Sequence, residues 1–153
     1  MPPSEFSRVL TPGVVRTHMS ATTKDEAIHE LLDILEGAGF VSDRAAAERV
    51  VFERERVMST GMECGIAIPH GKTDTVDRLV VAFGIKRDGL DFDCADGQPA
   101  RIFIMTLSPA SRSGPHIRFL AEVSRLLHDA RVREQVLNAT LSEDVVSALT
   151  GRS

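Results

Sequence analysis

Residues 65–72 are Gly65-Ile66-Ala67-Ile68-Pro69-His70-Gly71-Lys72, and they predict a short strand that ends at a histidine. Ile66 to Ile68 are apolar, as in a buried strand, and Pro69 ends strand pairing because it has no N–H to donate. Gly71 removes bulk beside the ring and lets the backbone approach a ligand closely. A histidine held in this way is exposed on one side and can act as a nucleophile. The alternative for a lone histidine is a structural role at the strand end.

Two further residues are candidates for the same site. His116 follows His70 by 46 residues, in the run Ser108-Pro109-Ala110-Ser111-Arg112-Ser113-Gly114-Pro115-His116-Ile117. Arg54 precedes His70 by 16 residues, in the charged run Glu53-Arg54-Glu55-Arg56. Each also has a plainer interpretation: His116 as a helix-start histidine that is hydrogen-bonded locally, and Arg54 as part of a solvated charged face. For Lys72, phosphate binding and a solvent-facing position are equally compatible with the sequence.

These features together resemble the IIA component of the bacterial phosphoenolpyruvate-dependent sugar phosphotransferase system. The resemblance is to the fructose/mannitol type, a family that also includes the nitrogen-regulatory IIA proteins, and it runs from about Leu10 to Leu149. The matching segments are Arg54-Glu55, Ser59-Thr60-Gly61, residues 65–72, Asp96-Gly97-Gln98-Pro99, and His116 with the apolar helix that ends at Leu126-Leu127.

The resemblance implies a shared site for two histidines. In that family the histidines that match His70 and His116 lie together, the first carries the phosphate, and the arginine that matches Arg54 borders the site. The resemblance also implies one domain over residues 1–153, with a core from about 10 to 149.

The chemistry of such a site explains these residue types. Phosphoryl transfer needs an imidazole nitrogen without a proton, aimed in line at phosphorus, and positive or hydrogen-bonding groups around the phosphoryl oxygens. His70 is the predicted nucleophile, His116 a predicted N–H donor, and Arg54 a permanent charge. The predicted phosphate ligands are Thr60, Gly61, Gly71 and Lys72.

Hydrophobic periodicity predicts an α/β fold with helices on a mixed sheet. Helices are expected from a cap at Thr23 to about Leu35, from Ser42 or Asp43 to Val57, after Pro115, and near 131–139 and 143–149. Strands are expected at 14–19, 66–68, 79–85, 90–92 and 102–107, with turns at Asp88-Gly89 and Asp96-Gly97.

Composition excludes several other classes of protein. The 153 residues carry a formal net charge of -4, which argues against a nucleic-acid partner. No run approaches the roughly 20 apolar residues of a membrane span, and the first six residues do not resemble a signal peptide. The two cysteines fit no zinc spacing and favour a reducing cytoplasm, with Cys64 expected to be a small buried or half-buried residue. We expect neither a metal nor a cofactor.

Two motifs that resemble known sites fail on inspection. Residues 65–73 differ from a nucleotide-binding P-loop because five residues, not four, separate their glycines. The segment His29-Glu30-Leu31-Leu32-Asp33 has an aspartate where a zinc protease needs its second histidine.

The sequence therefore predicts a cytoplasmic phosphocarrier. It would accept a phosphoryl group on His70 from the histidine-containing phosphocarrier protein and pass it to a cysteine or histidine of a IIB domain. Such a carrier needs a shallow exposed face, to which Met58 and Met62 could contribute. One alternative is a nitrogen-regulatory protein in which His70 phosphorylation controls binding to a target, without sugar transport. Another is a binding module whose histidine is never phosphorylated.

Overall fold

The structure is a computed structural model that describes residues 8–151. A short 3₁₀ turn, Pro12–Val14, leads into the first strand. The strands are β1 Val15–Arg16, β2 Ile66–Ala67, β3 His70–Lys72, β4 Val80–Leu90 and β5 Ala100–Ser108. The helices that position the site are α1 Lys24–Gly37, α2 Arg44–Val57, α3 Gly114–Leu127, α4 Ala130–Asn138 and α5 Ser142–Thr150. None of the helices within residues 8–151 is long and apolar enough to cross a bilayer.

The five strands form one mixed sheet, which confirms the predicted α/β class. β1 is parallel to β4, and β4 is antiparallel to β5. β2 and β3 both pair with β5 in parallel, one after the other along its length. Ile66 therefore lies opposite Ile102, and His70 lies opposite Thr106. This continuous register carries the chain from a buried strand directly to the candidate nucleophile.

Helices cover both faces of the sheet because side chains alternate along each strand. On one face Ala67, Phe103 and Met105 share a buried core with residues of α1 and α2. On the other face Ile66, Ile68, Ile102 and Ile104 share a core with Phe119, Val123 and Leu127 of α3 and with residues of α4 and α5. Full burial of one such large apolar side chain stabilises the fold by roughly 1.5–3 kcal/mol.

The predicted starts of α1 and α2 are confirmed by their caps. The Thr23 side chain accepts a hydrogen bond from the backbone N–H of Glu26 at 3.2 Å. Asp43 Oδ1 accepts one from the N–H of Ala46 at 3.1 Å. The Glu26 carboxylate accepts hydrogen bonds from the N–H and the hydroxyl of Thr22.

The predicted turn at Asp88-Gly89 is wrong. β4 runs through these residues to Leu90, which still pairs with Ala100 of β5. Gly89 has a φ of +75°, and the register shifts between Ile85 and Leu90, so the glycine forms an irregularity within the strand instead of reversing it. The expected first strand, 14–19, is also shorter than predicted and spans only Val15–Arg16.

The predicted turn at Asp96-Gly97 is confirmed. Gly97 has a φ of +73°, a conformation that glycine adopts without steric cost, and its N–H donates to the carbonyl of Cys94 at 2.9 Å.

Gly71 is required by the packing of α2. A Cβ on this residue would lie 2.7 Å from Val50 Cγ2 and 3.2 Å from the backbone nitrogen of Val51. The sheet face on which that Cβ would project is therefore filled by the helix. Alternation along β3 directs Gly71 to the face opposite His70, so packing against α2 is a further reason for this glycine, and its expected approach to a ligand through the backbone stays a prediction.

Gly71→Ala should lower the free energy of unfolding by roughly 1–3 kcal/mol, because α2 must move away from β3 to admit the methyl group. Urea denaturation measures the change. Gly37→Ala, at the end of α1 where nothing lies within 4 Å, is the control and should be neutral or slightly stabilising. Equal stability of Gly71→Ala and the parent protein would contradict this packing.

Candidate active site

The structure brings His70 and His116 together. His70 is the first residue of β3, and His116 lies in the first turn of α3. Their ring centroids are 5.5 Å apart, and the ring planes meet at 65° in an edge-to-face arrangement. The predicted proximity of these two rings, 46 residues apart in sequence, is confirmed.

The His70 ring has a defined proton position. Its Nδ1 lies 3.0 Å from the carbonyl oxygen of Ile68. A carbonyl can only accept, so Nδ1 carries the proton and donates it. In the neutral imidazole Nε2 then holds the free lone pair. The hydrogen bond to Ile68 fixes the ring, and because the residue is half-buried, one side of the ring is exposed.

His116 has the opposite environment. It is only 3% exposed, and its Nε2 lies 2.8 Å from the hydroxyl oxygen of Thr106. Burial, followed by the nearby positive charges of His70 and Lys72, lowers the pKa of His116 to about 4. At neutral pH the ring is therefore uncharged and carries a single N–H.

Lys72 lies on the same sheet face as His70, two residues further along β3. Its side chain is exposed, and its charge is close enough to lower the pKa of His116. Of the two interpretations of Lys72, this position fits a cation at the edge of the site.

Arg54 lies on the helix that packs against the sheet face opposite His70. In the last turn of α2, its Nη1 donates to the carbonyl of Met58 at 2.9 Å, as expected for a cation at a helix C-terminus. It follows Val50, the residue that meets Gly71, by one helical turn, so both share the stripe of α2 next to β3. Across residues 8–151, no hydrogen bond joins its guanidinium to either histidine. The role of Arg54 as a permanent positive charge beside the phosphoryl group stays a prediction.

Thr60 and Gly61 are already hydrogen-bonded within the protein. The Thr60 hydroxyl donates to Glu55 Oε2 at 2.6 Å, and its N–H donates to Glu55 Oε1 at 2.8 Å. The N–H of Gly61 donates to the hydroxyl of Ser59 at 3.1 Å. Phosphate binding by these groups would require them to exchange these partners, and it stays a prediction.

Sequence reasoning missed the role of Glu55. This buried carboxylate holds Thr60 and also pairs with Lys24 Nζ at 2.9 Å. Burial raises the pKa of Glu55, but the hydrogen bonds from Thr60 and Lys24 outweigh it and leave the pKa lowered. Only its position next to Arg54 in the charged run could have pointed to it, because Lys24 is 31 residues away in the sequence.

The expectation that Cys64 is buried or half-buried is wrong. Its side chain is exposed, and its φ of +64° lies in the left-handed region. Its N–H donates to Asp96 Oδ2 at 3.1 Å, which fixes the tight turn that leads into β2. The turn therefore directs the thiol to solvent.

An apolar cavity lies next to Ile68, the residue whose carbonyl oxygen orients His70. It has a volume of about 450 Å³, and Met58, Met62, Ile68, Val123 and Leu127 are among its lining residues. Met58 is 69% exposed and Met62 43%, as expected for an exposed apolar face. The carbonyl of Ile68 also orients His70, so the cavity and the candidate nucleophile share a wall.

In the part of the chain that the structure describes, no group of three or more His, Cys, Asp or Glu side chains could hold a metal ion. His29 contacts Phe52 and Glu48 and does not contact the histidine pair. His18 and His128 are both exposed and lie outside the pair.

A known family of proteins matches this chain over the site and nearly the whole fold. Residues 8–151 match the family described as "Phosphoenolpyruvate-dependent sugar phosphotransferase system, EIIA 2". The chain belongs to this family. It is an EIIA-type component of the phosphotransferase system, and the predicted family and fold are confirmed.

Relatives from both branches of this EIIA family resemble the chain. The fructose-specific EIIA component of Haloferax volcanii is 38% identical, with 95% of each chain covered. The crystal structure of the nitrogen-regulatory protein IIA-Ntr from Neisseria meningitidis superposes with a TM-score of 0.89 at 27% identity, covering 96% of this chain and 100% of that one. The IIA mannitol enzyme of Escherichia coli, solved in complex with phosphorylated IIB, gives a TM-score of 0.80 at 26% identity, over 94% and 98%.

The low pKa of His116 predicts a loss of stability in acid. The unfolded ring, with a pKa near 6.5, binds a proton before the folded ring does, so the unfolded state gains protons first as pH falls. The free energy of unfolding should therefore decrease between about pH 6.5 and pH 4, by about 3 kcal/mol from this group.

NMR titration of the ring protons and denaturation at several pH values measure the two quantities. His116→Gln should remove this part of the pH dependence, whereas His29→Gln should keep it. A His116 midpoint near 6.5 in the folded protein would show that burial does not keep the ring neutral.

Proposed function

We propose that this EIIA protein carries a phosphoryl group on Nε2 of His70. The donor would be the histidine-containing phosphocarrier protein, the acceptor a IIB domain of a sugar permease, and the setting the cytoplasm. The observation that carries this proposal is the contact between a half-exposed His70, with its proton held on Nδ1, and a buried, uncharged His116.

The transfer step follows from the two rings. The lone pair on His70 Nε2 forms the new bond to phosphorus while the bond from phosphorus to the donor's histidine nitrogen breaks, and that electron pair returns to the donor. The neutral imidazole needs no external base, because its one proton is on Nδ1 and Nε2 carries the lone pair. In the next step the IIB cysteine or histidine attacks phosphorus. The bond from phosphorus to His70 Nε2 then breaks, and its electron pair returns to Nε2.

Positive groups around the pair support the phosphoryl charge. Lys72 lies on the same face as His70, and Arg54, at the C-terminal end of the helix that packs on the other face of β3, is the second candidate cation. The N-terminus of α3 also lies at the site, and within residues 8–151 its N-cap residue, Ser113, makes no side-chain capping bond. The open N–H groups of this first turn favour an anion nearby.

The exposed apolar rim supports docking of two partners in turn. Met58 and Met62 are exposed beside the cavity and offer adaptable contacts to different surfaces. Weak and transient interfaces of this kind suit a carrier that must release each partner. The complex of IIA mannitol with phosphorylated IIB is a precedent for one of these partners in a protein of the same fold.

A regulatory function is the second candidate, because a nitrogen-regulatory protein superposes with a TM-score of 0.89. In that case phosphate on His70 would add charge and bulk to the Met58–Met62 rim and change the binding of a cytosolic target, without sugar transport.

Incubation with phosphoenolpyruvate, enzyme I and the phosphocarrier protein should add one phosphate that is labile in acid and stable in base. His70→Ala should abolish the labelling because the nucleophile is lost, and intact mass spectrometry measures it. His29→Ala is the histidine control and should label fully. Full labelling of His70→Ala would assign the phosphate to another residue.

His116→Ala should still accept phosphate but pass it on about 10²–10³ times more slowly, because a lost hydrogen-bond donor weakens the transition state more than binding. Quench-flow transfer to a IIB domain measures the rate. Unchanged transfer would reduce His116 to a structural residue.

Phosphate transfer from phospho-His70 to purified IIB domains of the same genome separates the two functions. Transfer to at least one of them supports the carrier function. If none accepts phosphate while a cytosolic target binds only one phosphorylation state, the regulatory function replaces it.

A further inference from the structure

Thr106 lies next to both histidines and has no role in the function described so far. It lies directly opposite His70 in the β3–β5 pairing, and its N–H donates to the carbonyl of Pro69 at 3.1 Å. Its hydroxyl oxygen lies 2.8 Å from Nε2 of His116. Thr106 therefore hydrogen-bonds both to the backbone just before His70 and to a ring nitrogen of His116.

We propose that Thr106 is a positioning residue that donates its hydroxyl proton to Nε2 of His116 and thereby holds the His116 proton on Nδ1. The Nδ1–H group is then the hydrogen-bond donor to the phosphoryl oxygens on His70. This inference rests on the proposed phosphoryl transfer for its purpose, but the proton position itself does not depend on it.

The direction of this hydrogen bond follows from burial. Thr106 has no exposed surface, and among the described residues its hydroxyl has one partner, His116 Nε2. If Nε2 carried the proton and donated it, the hydroxyl proton of Thr106 would be buried without an acceptor. If Thr106 donates instead, the hydroxyl proton and the Nε2 lone pair are both satisfied. Buried polar groups in folded proteins are paired in nearly all cases, which favours the second arrangement.

The choice of nitrogen matters because the ring is neutral. Burial holds the pKa of His116 at about 4, so at neutral pH it has one proton for two nitrogens. With the proton on Nε2, Nδ1 would present a lone pair to the phosphoryl oxygens and repel them. With the proton on Nδ1, the ring offers a hydrogen-bond donor while it stays uncharged.

The transfer step leaves His116 unchanged. The bond that forms joins phosphorus to His70 Nε2, the bond that breaks joins phosphorus to the donor, and the electron pair of the broken bond returns to the donor. The Nδ1 proton of His116 stays in place and its hydrogen bond strengthens as charge spreads over the phosphoryl oxygens.

Ser108 provides a matched control two residues further along the same strand. It lies on the same face of β5 as Thr106 and has no exposed surface. Its hydroxyl has no hydrogen-bond partner among the described residues. A general effect of removing a buried hydroxyl from this strand should therefore appear equally in Ser108→Ala.

The first experiment records two-bond ¹H–¹⁵N correlation spectra of the unphosphorylated wild-type protein at pH 7. We expect His116 Nδ1 to show the shift of a protonated nitrogen and Nε2 that of an unprotonated one. Thr106→Val, which keeps the shape and removes the donor, should move the Nδ1 shift toward the unprotonated value, and Thr106→Ser should restore it. Ser108→Ala should leave it unchanged.

Transfer from phospho-His70 to a IIB domain is the second readout. Thr106→Val should slow it about tenfold, less than the 10²–10³ expected for removal of the donor itself, and Thr106→Ser should recover most of the rate. A wild-type spectrum with the proton on His116 Nε2 would overturn the proposal, even if His70 is phosphorylated normally. Unchanged tautomer and rate in Thr106→Val would also overturn it. A protein with the expected tautomer that takes no phosphate on His70 would instead refute the proposed function alone.

Discussion

The parallel pairing of β3 with β5 is the constraint on which the site depends. It places His70 opposite Thr106, and Thr106 in turn holds His116. Alternation along β3 then sends His70 to the face covered by α3 and Gly71 to the face covered by α2. A slip of one residue would exchange these faces, bury the candidate nucleophile under α2 and force a side chain into the helix. Register is thus the physical origin of both the packing and the chemistry.

The two histidines differ because the fold treats them differently. His70 is held by a backbone carbonyl at the end of a strand and remains half-exposed, so it can meet a partner protein. His116 is buried at the start of α3 and is kept neutral by desolvation. An uncharged neighbour does not hold the phosphoryl group by charge as an imidazolium would, and it can still donate a hydrogen bond. The asymmetry suits a group that must be accepted and then released.

The rim around the site is held by a separate polar network. Glu55, at the end of α2, fixes Thr60 through two hydrogen bonds and pairs with Lys24 of α1. A buried carboxylate is costly to desolvate, and these donors compensate for it. The network sets the path of the chain between α2 and β2, where Met58 and Met62 are exposed. The flexible methionine side chains therefore stand on a rigid backbone.

The sequence by itself determined the family, the helix caps at Thr23 and Asp43, and His70 as the candidate nucleophile, because each depends on residues close together in the chain. The local sequence pattern predicted the wrong structure at Gly89. A positive φ at this glycine suits either a turn or an irregular strand, and only the pairing with β5 determines that it is a strand. It also misplaced Cys64, whose exposure depends on how the turn before β2 meets Asp96. The hydrogen bond between Thr106 and His116 was decided by the tertiary structure alone, because it joins a strand to a helix and no spacing in the sequence specifies which buried hydroxyl meets which ring nitrogen.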